Sequence, residues 1–210
     1  MKLIIFGSTG RTGLQLITQA LEMGHEVTAF ARNPEKINLK HDNLIKLKGN
    51  ALDYDSVVTA LQGQDAVLCA LGMPNILDKS QLRAKATENI IAGMEKSGVK
   101  RFICLSSLGA GDSHEILPFH YKYIIAPLIM RHLFVDHNLQ EDHIEKSKLD
   151  WTIVRPGNLT DGEYTGNYQE DFKTINKTIA IKISRADTAD FMLKQLQDNK
   201  YLHKAPCISY

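Results

Sequence analysis

Residues 7–13, Gly-Ser-Thr-Gly-Arg-Thr-Gly, constrain this chain more than any other stretch. They follow a short apolar run, Lys2-Leu-Ile-Ile-Phe6, and precede a segment where Leu14, Ile17 and Leu21 recur at helical spacing until Gly24. A strand that passes into a helix through three glycines has few folds open to it. The turn needs a residue free to take unusual dihedrals, and a side chain inside it would block a close-lying anion. The helix start offers unpaired N–H groups and the positive end of its dipole. The spacing is G-x-x-G-x-x-G, one residue longer between the first two glycines than the G-x-G-x-x-G dinucleotide fingerprint. Gly7, Ser8, Thr9, Gly10, Arg11, Thr12 and Gly13 are therefore expected at the diphosphate of a nicotinamide dinucleotide. The alternative is a turn whose glycines serve packing only.

The remaining chain repeats the alternation. Val27–Ala31, Leu44–Leu47, Asp65–Ala70, Arg101–Ser106 and Trp151–Arg155 read as strands, the last stopped by Pro156, with a late strand near Ile179–Ile183. Helices are expected over Asp53–Leu61 with Asp53 as N-cap, over Gln81–Lys96 ended by Gly98, over about Leu128–Lys148, and over Ala186–Gln197. Near-continuous apolar strands spaced by helices indicate a parallel sheet covered on both faces. The expected fold class is α/β, a Rossmann-type doubly wound parallel sheet in three α/β/α layers. One NAD(P)-binding domain would span residues 1–210, with a substrate-side insertion at about 109–148.

Composition excludes several classes. With 43% hydrophobic and 23% charged residues and a net charge of +1, nothing marks a nucleic-acid or acidic-membrane partner. Cys69, Cys104 and Cys207 are odd in number and form no C-x-x-C, which fits buried thiols in a reducing compartment. Gly7 ends the first apolar run, so no signal peptide is read there. Tyr123–Met130 carries Pro127 and falls far short of the roughly 20 apolar residues of a membrane span. A soluble, cytoplasmic protein acting on a small molecule is expected, and its oligomeric state is left open.

The second strand ends Ala31-Arg32-Asn33-Pro34, without the acid that usually accepts from the ribose 2′-OH of NAD. Arg32 offers a fork of donors to a 2′-phosphate instead, and Arg11 could add to the same anion site. NADP(H) is therefore expected over NAD(H).

These features, with Phe30-Ala-Arg32 and Leu149-Asp-Trp-Thr-Ile-Val-Arg-Pro-Gly157, resemble the atypical short-chain dehydrogenase/reductase group. Within it the chain is similar to the small, NmrA-like NAD(P)H-binding proteins that include biliverdin and flavin reductases. The resemblance extends to Ser184-Arg-Ala-Asp-Thr-Ala-Asp-Phe-Met192 and Ile208-Ser-Tyr210. It implies that Asn50 and Ala51 flank the adenine, that Ala70, Leu71 and Gly72 lie along the ribose and phosphates, and that Pro156, Gly157, Asn158 and Leu159 complete the cofactor site. It also places Ser106 and Ser107 beside the nicotinamide, Ser106 as the orienting active-site hydroxyl and Ser107 second. The histidine that follows the sixth strand in those reductases has no counterpart near Gly157.

Carbonyl reduction needs a proton donor, commonly a tyrosine with a lysine four residues later. Four residues after Tyr54, Tyr121, Tyr123, Tyr164, Tyr168 and Tyr201 stand Val58, Ile125, Pro127, Tyr168, Phe172 and Ala205, and Tyr210 is the last residue. The pair is absent, which argues against ordinary alcohol or ketone chemistry. A planar acceptor such as a flavin or quinone relaxes that demand, because solvent can deliver the proton. A non-catalytic NADP(H) sensor is the rival reading, and a nucleotide-sugar epimerase or dehydratase a third. In the insertion, His120 and Tyr121 are candidates for the substrate side, while Met130, Leu133 and Phe134 are expected to pack against the sheet. His132, His137 and His143 lack the i, i+4 spacing of a helical zinc pair, and no metal is expected.

Overall fold

Leu3, Ile4, Ile5 and Phe6 have no exposed surface, so successive residues of one strand are buried on opposite sides. Side chains alternate across a sheet, and such burial requires cover on both faces. The computed structural model, which describes residues 1–73, 79–176 and 179–210, provides it. Leu3 and Ile5 join Leu16 and Ile17 of helix α1 (Arg11–Glu22) and Phe191 and Met192 of helix α6 (Arg185–Lys194). Ile4 and Phe6 join Val57 of α2 (Tyr54–Ala60), Ile90 and Met94 of α3 (Leu82–Ser97) and Ile144 of α5 (Arg131–Glu145).

The central strands are β1 (Lys2–Phe6), β2 (Glu26–Ala31), β3 (Leu44–Lys48), β4 (Ala66–Cys69), β5 (Arg101–Leu105) and β6 (Asp150–Pro156). They lie in the order β3-β2-β1-β4-β5-β6, all parallel, and the order reverses at β1. This is the Rossmann-type α/β arrangement expected from the sequence, and its ligand crevice lies at the carboxyl ends beside the reversal. Asp53 caps α2 as read from the sequence, accepting from the amides of Asp55 and Ser56. Gly98 closes α3 in the left-handed region at φ 78°.

Several boundaries differ for identifiable reasons. Pro156 belongs to β6 instead of stopping it. The neighbouring amides of Arg155 and Gly157 bond Pro206 and Ile208, so the missing N–H falls on the side where β5 has already ended. The long insertion helix is interrupted: Tyr121–Ile125 is π-helical, α4 is only Ala126–Leu128, and α5 begins at Arg131. Ser147 returns both its amide and its hydroxyl to the Ile144 carbonyl and ends α5 before Lys148. The late strand is β9 (Lys182–Ser184), because Ile181 takes φ 50° and breaks the extended run. It pairs with β7 (Asn158–Thr160) outside the main sheet. Two short strands lacking an apolar alternation, β8 (Gln169–Glu170) and β10 (Cys207–Ser209), extend the sheet beyond β6, with β8 antiparallel at the edge. The three cysteines are buried free thiols. Among the described residues no helix is long and apolar enough to cross a membrane.

Candidate functional site

The carboxyl ends of β1, β2, β4, β5 and β6 open into one cavity of about 760 Å³, ample for a dinucleotide-sized ligand. At its centre is the glycine turn, where the three glycines have different jobs. Gly7 sits at φ 79°, and a Cβ there would lie 2.3 Å from the Ala70 carbonyl oxygen. A Cβ on Gly13 would lie 2.2 Å from the Gly7 carbonyl oxygen. Both are therefore required by the close approach of protein backbone, whatever is bound. Gly10 differs: it lines the cavity, caps α1 without a side-chain bond, and its added Cβ would meet only the Gly7 oxygen, at 3.2 Å. The first-turn amides of α1 are left to face an anion.

Of the residues expected at the cofactor, Thr9, Arg11, Thr12, Arg32, Asn50 and Ala51 line this cavity with Gly7 and Gly10. Ala70, Leu71, Gly72, Ser106, Ser107 and Pro156–Leu159 line it on the other side. Gly13 and Ser8 do not. Ser8 is fully buried, and its hydroxyl donates to the Phe30 carbonyl, tying the turn to β2. His120 and Tyr121 both lie outside the lining: His120 is exposed, and the Tyr121 hydroxyl accepts from Asn158 Nδ2 of the lining, 3.4 Å away. Met130 and Leu133, expected to pack against the sheet, line the cavity. The interruption before α5 turns the start of that helix over the crevice.

The cavity carries a strong sign. Arg11, Arg32, Arg83 and Arg185 line it, and no Asp or Glu does among the described residues. Arg32, at the end of β2, has no ion-pair partner among the described residues. Arg83 is held by Asp136: its guanidinium is 3.3 Å from that carboxylate, which also accepts from the amides of Arg83 and Ala84 at the start of α3. Arg11, read from the sequence as a further donor at the Arg32 anion site, bonds Asp161 through its guanidinium at 2.5 Å.

Ser106, 5% exposed, is reached from behind by α5. Its hydroxyl donates to Glu141 Oε1 at 2.5 Å, and His137 Nδ1 lies 3.3 Å from Ser106 Oγ. Glu141 and Arg155 form a buried, two-pronged pair through contacts of 3.1 and 2.7 Å, and Arg155 also pairs with Asp112. Burial works against the Arg155 charge, but the bonds and charges of Glu141 and Asp112 outweigh it and raise its pKa. The same arginine holds the Asp112 carboxyl below its ordinary value. His137 is driven the other way: burial, then the nearby Arg83 charge, lower its pKa to about 3. Gln140 donates its amide N–H to Thr87 and Cys104, which turns its oxygen toward His137 Nδ1. The neutral ring thus carries its proton on Nδ1. His137 also lines the cavity, and Nε2 has no hydrogen-bond partner among the described residues.

Glu141, Arg83, Arg155 and Arg185 were not expected at the site from the sequence, and His137 was weighed there only as a zinc ligand. The spacing His137-x-x-x-Glu141 fits neither a tyrosine–lysine pair nor a histidine pair, although it sets two polar groups on one helix face. No group of three or more metal-binding side chains occurs among the described residues.

Known proteins agree with this architecture. The family model described as NAD(P)H-binding matches residues 7–199. An uncharacterized chloroplastic protein of Arabidopsis thaliana is 30% identical over 177 residues, 79% of this chain and 62% of its own length, so the chain spans less than two thirds of that relative. An anaerobillin reductase from Escherichia coli O157:H7 superposes with a TM-score of 0.80 at 23% identity, covering 99% of this chain and 96% of its own. A short-chain dehydrogenase/reductase from Veillonella parvula, solved with NADP, gives 0.82 at 15% identity, covering 100% and 94%. At such identities the two structures testify to the fold alone. The match across residues 7–199 establishes that this chain belongs to the NAD(P)H-binding family.

Proposed function

We propose that the protein is an NADP(H)-dependent oxidoreductase that delivers hydride from NADPH to a planar, redox-active acceptor such as a flavin or a quinone. The observation carrying this reading is the cavity itself, which runs from Arg32, without an ion-pair partner among the described residues, past the uncapped start of α1 to Ser106 and His137, with arginines and no carboxylate in its described lining. The first-turn amides and Gly10 would receive the diphosphate, and Arg32 the 2′-phosphate. The bound dinucleotide supplies the hydride.

The protein's part is positioning. The Ser106 proton is committed to Glu141 and His137 Nδ1 lies on one side of its oxygen, which leaves a lone pair suited to accept from a carboxamide N–H in the cavity. Met130 and Leu133 give the acceptor an apolar wall. Neither Ser106 nor neutral His137 is an efficient acid here, which favours an acceptor protonated by solvent over a simple ketone. That same shortage of acids is what favours the rival reading, a protein that binds NADP(H) and reports redox state without turnover. Mixing the protein with NADPH and following nicotinamide absorbance against flavins, quinones and tetrapyrroles tests both. Oxidation of NADPH by one acceptor class supports the reductase; tight NADPH binding with no turnover on any of them would replace it with the sensor.

A further inference from the structure

Two of the four cavity arginines have a task in the reading above or in the fold: Arg32 toward a 2′-phosphate and Arg83 locked to Asp136. Arg11 and Arg185 have none. Arg185 is the first residue of α6, its side chain is only 14% exposed, and it lines the cavity. Its one described hydrogen bond runs from Nη1 to Asp161 Oδ1 at 2.6 Å. The other oxygen of the same carboxylate takes Arg11 Nη1 at 2.5 Å. Two guanidiniums from opposite ends of the sequence thus converge on one carboxylate, and that carboxylate is 60% exposed and itself outside the cavity lining.

The arrangement is that of an anion subsite holding a protein carboxylate. A guanidinium has five N–H donors in a fixed fork, so one bond to Asp161 leaves most of the Arg185 donors for a second oxyanion. Asp161 lies just past β7 with its carboxylate 60% exposed, so solvent screens its pairs with the two arginines and each is worth little. A ligand anion entering the cavity can therefore displace it cheaply. The cofactor's own anions have receptors elsewhere, at Arg32 and at the start of α1. We infer that Arg185, with Arg11, forms a subsite for an anionic group on the acceptor, a phosphate or carboxylate, and that Asp161 occupies it until the acceptor arrives. The inference rests on reading the cavity as a site for NADP(H) plus an acceptor, and it narrows that acceptor to one bearing negative charge.

Flavin mononucleotide and riboflavin share a ring system and differ in a phosphate. Each is titrated into protein saturated with NADP⁺, where no turnover occurs, and binding is read from quenching of flavin fluorescence. The wild type is expected to bind the mononucleotide about tenfold or more tighter than riboflavin, the scale of one charge-assisted bond pair. Arg185→Gln should erase that difference by weakening the mononucleotide alone. Asp161→Asn should tighten the mononucleotide several-fold and leave riboflavin unchanged, a gain that a damaged fold would not produce. A second arm needs no flavin: inorganic phosphate should raise the Tm of the NADP⁺ complex of the wild type, more that of Asp161→Asn, and not that of Arg185→Gln. Equal affinity for the two flavins, or no flavin binding together with no phosphate effect, overturns the inference. So does an Arg185→Gln protein that loses NADP⁺ affinity and keeps the flavin difference, because Arg185 would then serve the cofactor. Failure of the wild type to bind NADP⁺ or NADPH at all would instead sink the functional reading beneath it.

Discussion

Ser106 gives its hydroxyl proton to Glu141 across 2.5 Å, and Glu141 is in turn gripped by Arg155, so the orientation of the cavity's central hydroxyl is set by a buried ion pair. Ser106→Ala removes the acceptor oxygen while leaving that pair intact. Turnover with the productive acceptor is expected to fall about tenfold, the scale of one hydrogen bond of about 1.4 kcal/mol, with NADPH affinity nearly unchanged. An equal loss in NADPH affinity would show that Ser106 holds the cofactor's ground state instead of its reacting geometry.

Glu141 and Arg155 are 2% and 3% exposed; removing Arg155 leaves Glu141 without a counter-charge, and removing Glu141 leaves the buried guanidinium only the exposed Asp112. Glu141→Leu is expected to cost about 3–5 kcal/mol of stability in denaturant unfolding, whereas Glu141→Leu with Arg155→Met should recover much of that loss. The double variant should still turn over poorly, because Ser106 has lost the carboxylate that orients it. Recovery of activity along with stability would contradict the positioning role.

The glycines separate fold from ligand. Gly7→Ala places a Cβ against the Ala70 carbonyl at a positive φ and is expected to destabilise the protein by several kcal/mol. Gly10→Ala meets only one atom at 3.2 Å, so it should fold with nearly the Tm of the wild type and bind NADPH more weakly. If Gly10→Ala bound NADPH normally, the space above Gly10 would not be where the diphosphate lies.

This division was invisible in the sequence, where Gly7, Gly10 and Gly13 look equivalent. What could be read was whatever depends on local periodicity: the alternation of apolar strands with helices, the cap at Asp53, the stop at Gly98 and the strand-end residues that border the cavity. Arg32 was legible because its place is fixed by β2 alone. Arg11 was not, since its partner Asp161 lies 150 positions away and reaches it only through the packing of α1 against α6. Glu141 and His137 carry no apolar signal that would mark their face of α5 as buried. They are buried because α5 lays that face over the end of β5, a tertiary fact with no signature in polarity. The short strands β8 and β10 were missed for lack of any alternation to detect, and Ile181 shifted β9 by a backbone kink that a β-branched residue gives no reason to expect.

Among the described residues Arg32 has no carboxylate to release before it meets a 2′-phosphate. Arg32→Ala is therefore expected to weaken NADPH by about tenfold or more and to leave NADH within about twofold, on the scale of bonds between charged groups. Titration of intrinsic or nicotinamide fluorescence with both nucleotides measures this. A parallel loss for NADH and NADPH would place Arg32 on something common to both, and the nucleotide preference would fall.

His137 makes stability depend on pH in a defined sense. Its ordinary pKa of 6.5 is lowered to about 3 in the folded protein, mainly by burial. Below pH 6.5 the unfolded chain therefore takes up a proton that the native protein refuses until about pH 3. Stability from this group is complete above 6.5 and declines as the pH falls toward 3, by about 1.4 kcal/mol per pH unit over the middle of that window. His137→Gln keeps a polar group beside Ser106 and removes the titration. The unfolding free energy of the wild type minus that of His137→Gln should be level above pH 7 and should fall steadily between pH 6 and about 4. Urea unfolding of both proteins across that range is the measurement, since acid effects common to all other groups cancel in the difference. A level difference throughout would mean that His137 titrates normally and has solvent access, and it would remove the neutral, Nδ1-protonated ring from the account of how Ser106 is held.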